Sequence, residues 1–207
     1  ARFSVQPLER GWGTTIGNAL RRVLLSSIEG AAITSVRIEG VEHEFSAIPG
    51  VVEDVTDIIL NLKTLAIRLH SDSPRTLTLD AKSKGQIVAN DFEDDPHIEI
   101  LNSEALVAQL AEGGRLHIEA TVALGRGYVS AERNTDPEAP IGTIPVDSVH
   151  SPVKRVNYKV ESARVGQATD FDKLVIEVWT NGTLSPREAV SKAARLLRDQ
   201  LAIFDSE

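Results

Sequence analysis

The residues of this 207-residue chain that could do chemistry begin with a glycine loop opening a helix. Gly11-x-Gly13-x-x-x-Gly17 leads into an apolar-periodic run, the setting in which N–H groups at a helix N-terminus hold a pyrophosphate. The dinucleotide fingerprint is G-x-G-x-x-G, so this spacing is one residue too long. The flanking chain also lacks the repeating β-α-β pattern of a parallel sheet and a Walker lysine. A nucleotide-binding enzyme using Gly11 to Gly17 stands as the alternative function. His43, His70, His97, His117 and His150 show no metal-ligand spacing, and His43-Glu44 has no second histidine four residues on. Asp91, Glu93, Asp94 and Asp95 lack the D-x-D-x-D-G pattern of a calcium loop and read as a solvated turn. No serine lies in G-x-S-x-G, and the absence of cysteine excludes disulfides, zinc thiolates and thiol nucleophiles. No acid, base and nucleophile converge, so no catalytic residue, metal site or cofactor is expected.

The elements that carry these residues are ordinary in composition. Aromatic residues make up only 4%, which requires an aliphatic core, and 207 residues suffice for one large domain or two small ones. The net charge of −8 argues against a duplex-binding surface, so direct DNA binding is not expected. No run approaches a membrane span and no signal peptide is present, so the expected location is cytoplasmic. Methionine is absent even at position 1, so the chain is read as starting after its initiator. Arg2 to Gln6 then alternates like the end of a strand whose partner lies in the missing part.

Ile16, Ala19, Leu20, Val23 and Leu24 recur at helical spacing and share one face, leaving Asn18, Arg21, Arg22 and Leu25 on the other. That second face is either simply solvated or built to dock a second chain. Ala32 to Ile38 reads as a strand, and Val52, Val55, Ile58, Ile59 and Leu62 as a short helix with Glu53, Asp54 and Asp57 in its first turns. Alternation at Leu65 to Leu69, Leu77 to Ala81, Ile98 to Ile100 and Leu116 to Leu124 makes the middle strand-rich. Gly125 to Pro140 reads as a mobile loop. Asn157 to Val165 and Lys173 to Thr180 form an antiparallel pair with a bulge near Ser162.

Ser185-Pro186-Arg187-Glu188 is a capping box with proline at the first helical position. The helix that follows carries Val190, Ala193, Ala194, Leu197, Leu201 and Phe204 on one side, widened by Ala189, Leu196 and Ile203. So broad a face needs two neighbours, the chain's own sheet and a second copy of the helix, unless the helix is wedged into a single core. Helix and strands at both ends with strands between give an α+β fold in which one module interrupts another.

Pro7-Leu8-Glu9-Arg10-Gly11-x-Gly13-x-Thr15-x-Gly17-Asn18-Ala19-Leu20-Arg21-Arg22-Val23-Leu24-Leu25-Ser26-Ser27 resembles the N-terminal domain of the bacterial RNA polymerase alpha subunit. The likeness continues through Gly40-Val41-x-His43-Glu44-Phe45-Ser46, Glu53-Asp54-Val55, Leu60-Asn61-Leu62-Lys63 and Gly125-Arg126-Gly127-Tyr128-Val129. Ser151-Pro152-Val153, Thr169-Asp170-x-Asp172-Lys173-Leu174 and Thr180-Asn181-Gly182-Thr183 complete it in the family's order. The resemblance implies a non-catalytic assembly subunit that homodimerises through its first and last helices and recruits the beta and beta-prime subunits for transcription. It implies a dimerisation module, an antiparallel sheet with two helices over 1–30 and 156–207, interrupted by a β-rich module over 31–155.

By position, the dimer seam would hold Ile16, Leu20, Val23, Leu24, Val190, Leu197, Leu201 and Phe204. Beta contacts would be Asn18, Arg21, Arg22, His43, Glu44, Phe45, Asn61 and Lys63; beta-prime contacts would be Thr169, Asp170, Asp172 and Lys173. These 207 residues carry no counterpart of the family's leading strand or of its DNA-binding C-terminal domain, so no promoter contact is expected of them.

Overall fold

A computed structural model describes residues 1–205. In chain order its strands are β1 (Arg2–Glu9), β2 (Glu29–Ile38), β3 (Ile67–Leu69), β4 (Arg75–Ala81), β5 (Gly85–Val88), β6 (Ile98–Ile100) and β7 (Leu106–Leu110). β8 (Leu116–Arg126), β9 (Tyr128–Val129), β10 (Ile144–Pro145), β11 (Ser148–Val149), β12 (Val153–Val165) and β13 (Ala168–Thr180) follow. The helices are α1 (Trp12–Ser26), α2 (Val55–Lys63) and α3 (Pro186–Leu201). β1–β13, β12–β13, β2–β10, β9–β11, β3–β6, β4–β8 and β5–β7 each pair antiparallel, and the fold is α+β. The chain divides into two units, residues 1–29 with 151–205, and Gly30–His150. The expected second boundary at 155/156 lies five residues too late.

In the terminal unit, β13 is the central strand of a three-stranded sheet ordered β1-β13-β12. β1 therefore has its partner inside the chain, at Arg2↔Glu177 through Glu9↔Phe171, and not in a missing segment. Its register slips between Val5 and Leu8, where Pro7, which has no N–H to give, sits at a bulge on an outer strand. The β12–β13 register runs through Ser162↔Asp172 without a break. The bulge expected near Ser162 lies instead between Ala163 and Val165, where β13 supplies the extra residue. One face of this sheet packs with α1 and α3 around Leu24, Ile28, Val156, Ile176, Val178, Ala189 and Ala193. Leu25, expected beside the arginines, joins the edge of this core, because α1 is flanked by both sheet and α3. α3 starts at its capping box: Ser185 Oγ accepts from Glu188 N at 3.2 Å and Glu188 Oε2 accepts from Ser185 N at 3.1 Å. The α-helix ends at Leu201, and residues Ala202–Phe204 form one 3₁₀ turn.

The inserted unit is built on a sheet ordered β10-β2-β8-β4, with two-stranded pairs β3–β6, β5–β7 and β9–β11. Leu77, Leu79, Leu116, Ile118, Ala120 and Val122 point into one aliphatic core, the outcome of their strict alternation. α2 begins at Asp54, whose Oδ1 accepts from Asp57 N at 2.8 Å. Val52, expected on the buried face of this helix, precedes it and is 70% exposed. Glu53 also precedes it and accepts from Gln109 N at 2.6 Å rather than facing the helix dipole. The expected loop from Gly125 is partly strand, since β8 runs to Arg126 and Tyr128–Val129 pairs with Ser148–Val149.

A buried polar relay ties that segment down. Asn134 Nδ2 donates to Val146 O (2.7 Å) and Ser148 Oγ (3.0 Å), Ser148 Oγ lies 2.8 Å from His150 Nε2, and His150 Nδ1 lies 3.2 Å from Gly30 O. A carbonyl only accepts, so Nδ1 carries the proton and Nε2 receives the serine hydroxyl. A Cβ on Gly125 would stand 2.9 Å from this imidazole, which is why a glycine is needed there. Burial holds the His150 pKa below its ordinary 6.5. Above that value the folded and unfolded chains both keep it neutral. As pH falls below it, the unfolded chain binds a proton that the folded unit does not, so stability drops. Urea unfolding at about pH 7.5 and about pH 5.5 is expected to show a smaller loss of stability for His150→Gln than for the parent chain.

Candidate functional site

The glycine loop is an internal joint. Gly11 adopts φ +91°, a conformation open to glycine, and starts α1. The helix N-terminus is met by Asp172 Oδ2, which accepts from Gly11 N at 2.9 Å and Gly13 N at 3.1 Å. A carboxylate of the chain thus fills the place where a phosphate would sit, against the nucleotide-binding alternative. A Cβ on Gly13 would meet Val160 Cγ1 at 2.8 Å, and one on Gly17 would meet Tyr158 Cδ2 at 2.6 Å. These glycines let α1 lie against β12. Asp172, expected at a partner subunit, is half-buried and committed to this cap. Asp172→Ala is expected to cost about 1–2 kcal/mol in chemical unfolding, as the loss of a helix cap does.

The α1–α3 face is different. An open apolar groove of about 630 Å³ is lined by Ile16, Ala19, Leu20, Ala194, Leu197 and Leu201 among others. Beyond it Leu201, Ile203 and Phe204 are 64%, 73% and 84% exposed. Ile16, Leu20, Val23, Val190 and Leu197 are half-buried, so part of each still faces outward. Leu24 is a correction: it is 0% exposed in the core of the terminal unit and has no surface to give a seam. It lies on the inner edge of the apolar stripe, turned to the sheet.

Asn18, Arg21 and Arg22 are exposed on α1, with Arg21 Nε 3.4 Å from Val156 O. In the inserted unit His43, Glu44 and Phe45 are exposed, Phe45 by 80%. Asn61 is half-buried, and its Nδ2 donates to Val107 O at 2.9 Å inside the unit. Lys63 is exposed and ion-paired to Asp147. Thr169 and Asp170 are exposed at the β13 bulge, while Lys173 is half-buried with Nζ 3.8 Å from Glu161. Val52 and Leu60, 70% and 54% exposed, were missed as surface apolar groups in the same stretch as Phe45. The available signal was Leu60, which falls out of phase with Val55, Ile58, Ile59 and Leu62. Among the described residues no three His, Asp or Glu side chains gather as a metal site, and no helix is long and apolar enough to cross a membrane.

These features define a discontinuous α+β protein: its two ends form one unit, and an antiparallel β-rich unit is inserted between them. Residues 36–151 match the RNA polymerase Rpb3/RpoA insert domain. The chain is 58% identical over 203 residues to the DNA-directed RNA polymerase subunit alpha of Moorella thermoacetica, covering 98% of this chain and 65% of that relative. It is also 58% identical over 205 residues to the subunit of the same name from Symbiobacterium thermophilum, covering 99% and 65%. The chain thus belongs to the bacterial RNA polymerase alpha-subunit family, in the region of its N-terminal domain, and spans 65% of the length of these relatives.

Proposed function

We propose that the chain is a non-catalytic assembly subunit of bacterial RNA polymerase, working in the cytoplasm. Two copies pair through α1 and α3, and the pair recruits the beta and beta-prime subunits for transcription. The observation that carries this reading is the open apolar groove between the two helices, continued by Leu201, Ile203 and Phe204. Burying each large side chain is worth about 1.5–3 kcal/mol, and a second copy offering the same face supplies a self-complementary cover. Ile16, Leu20, Val23, Val190, Leu197, Leu201 and Phe204 form that seam.

Asn18, Arg21, Arg22, His43, Glu44, Phe45 and Lys63 face beta in this reading, and Thr169, Asp170 and Lys173 face beta-prime. Arg22 carries most weight, since an exposed guanidinium forms forked hydrogen bonds that a lysine does not match. No DNA contact is assigned to this acidic chain.

Light scattering of the chain alone, and then with the two large polymerase subunits, tests the proposal. Arg22→Ala is expected to keep the two-copy mass and to weaken capture of beta by about tenfold or more. Undiminished capture removes Arg22 from this role. A one-copy mass with no capture by the parent chain overturns the whole reading.

A further inference from the structure

β12 is an outer strand whose register to β13 is unbroken from Arg155 to Ala163. Ala1 and Val178 exchange backbone bonds of 2.7 and 2.8 Å, so Val178 turns its N–H and C=O toward the β1 side. Antiparallel backbones alternate direction, so Val156, opposite Val178, turns its own pair of groups away from β13. Tyr158, Val160 and Ser162 repeat that direction along the open edge, whereas the Val156 carbonyl already accepts from Arg21 Nε at 3.4 Å. A cleft of about 380 Å³ beside the edge is lined by Arg21, by Asn157, Tyr158 and Lys159 of β12, and by Val175 and Glu177 of the central strand β13. Lys154 and Arg155 of β12 are also exposed, with Arg155 stacked 4.8 Å over Trp179. Glu161, bound to Lys159 at 2.7 Å, and Glu177 are acids beside this stretch, as is Asp172 opposite Ser162, its carboxylate turned to the N-terminus of α1. Cations outnumber them, in a chain whose net charge is −8.

We infer that the open edge of β12 takes an acidic, extended segment of a protein partner as an added strand. The row of alternating N–H and C=O groups supplies the ladder, and the cations select an acidic sequence. A second copy of β12 carries the same surplus of cations along its edge, so it matches this edge less well than an acidic strand does. A nucleic acid is also a poor fit, since half of the edge groups are carbonyl acceptors that repel phosphate. The irregularities at Lys154 and beyond Ala163 bound the ladder to about nine residues. The inference does not depend on the pairing proposed for α1 and α3.

The whole chain is to be titrated at low salt with a capped peptide of about nine alternating glutamate and valine residues. Its lysine–valine counterpart and a glutamate peptide N-methylated at alternate positions serve as comparisons. The acidic peptide is expected to slow amide exchange at Tyr158 and Val160 by about tenfold or more, and the other two are expected to leave it unchanged. Lys159→Glu, and Ser162→Pro, which deletes an outward N–H without touching the β13 pairing, are each expected to weaken binding about tenfold. Equal binding of the N-methylated peptide reduces the effect to charge attraction and overturns strand addition. Absence of protection at about millimolar acidic peptide overturns it as well.

Discussion

Leu201→Glu is expected to convert the chain from a two-copy to a one-copy particle in light scattering, with its far-UV spectrum unchanged and its unfolding midpoint no longer dependent on protein concentration. Leu201 is 64% exposed within one chain, so a carboxylate there stays in water and costs the fold little. In the proposed pair the same carboxylate sits against leucine and phenylalanine, and Arg198, the cation lining the groove, is already paired to Asp199 at 2.9 Å. An uncompensated buried charge costs about 3 kcal/mol or more, a weakening of association by about a hundredfold. Leu197→Glu acts in the same direction, but Leu197 is already half-buried, so that variant also loses protomer stability. A Leu201→Glu protein that keeps the two-copy mass removes α3 from the seam.

Gly17→Leu separates helix propensity from packing. Leucine is favoured over glycine in a helix interior by nearly 1 kcal/mol, so α1 taken alone gains from the change. In the fold, the first side-chain carbon would stand 2.6 Å from Tyr158 Cδ2 and 3.0 Å from Leu174 Cδ1, both on the sheet beneath. Overpacking of this kind costs about 3 kcal/mol, which outweighs the propensity gain. Urea titration is expected to show a net loss, relieved when Tyr158→Ala is added. A net gain for Gly17→Leu alone would mean that α1 does not lie against β12 as described.

What the sequence made legible follows the range of the interactions. The capping box of α3 needs only Ser185 and Glu188, three residues apart, and its start was readable. β4 and β8 were readable because each buries one face, so Leu77, Leu79 and the run from Leu116 to Val122 alternate cleanly. β5 and β7 went unread: they are short, and Leu106-Val107-Ala108 is a continuous apolar run. The partner of β1 lies about 170 residues away along the chain and leaves no local trace. The same distance hid Asp172 as the cap of α1. Ser162 suggested a bulge because a polar residue stands where Val160 predicts an apolar one. It keeps the phase but pairs with Asp172 beside the start of α1, where polarity fits. For the candidate site, periodicity found the apolar faces but not the depth of each residue. Leu24 and Phe204 carry the same pattern, yet one is wholly inside and the other almost wholly outside.

The division of the chain sets an order for its birth on the ribosome. Residues Gly30–His150 are contiguous and contain every strand of their own sheets, so this part closes as soon as it has emerged. β1 and α1 emerge before this part but wait, because β13, the strand that joins both flanks of their sheet, is translated after it. Until then α1 travels with its greasy stripe bare, and a nascent chain stalled before residue 168 holds a complete inserted unit beside an incomplete terminal one.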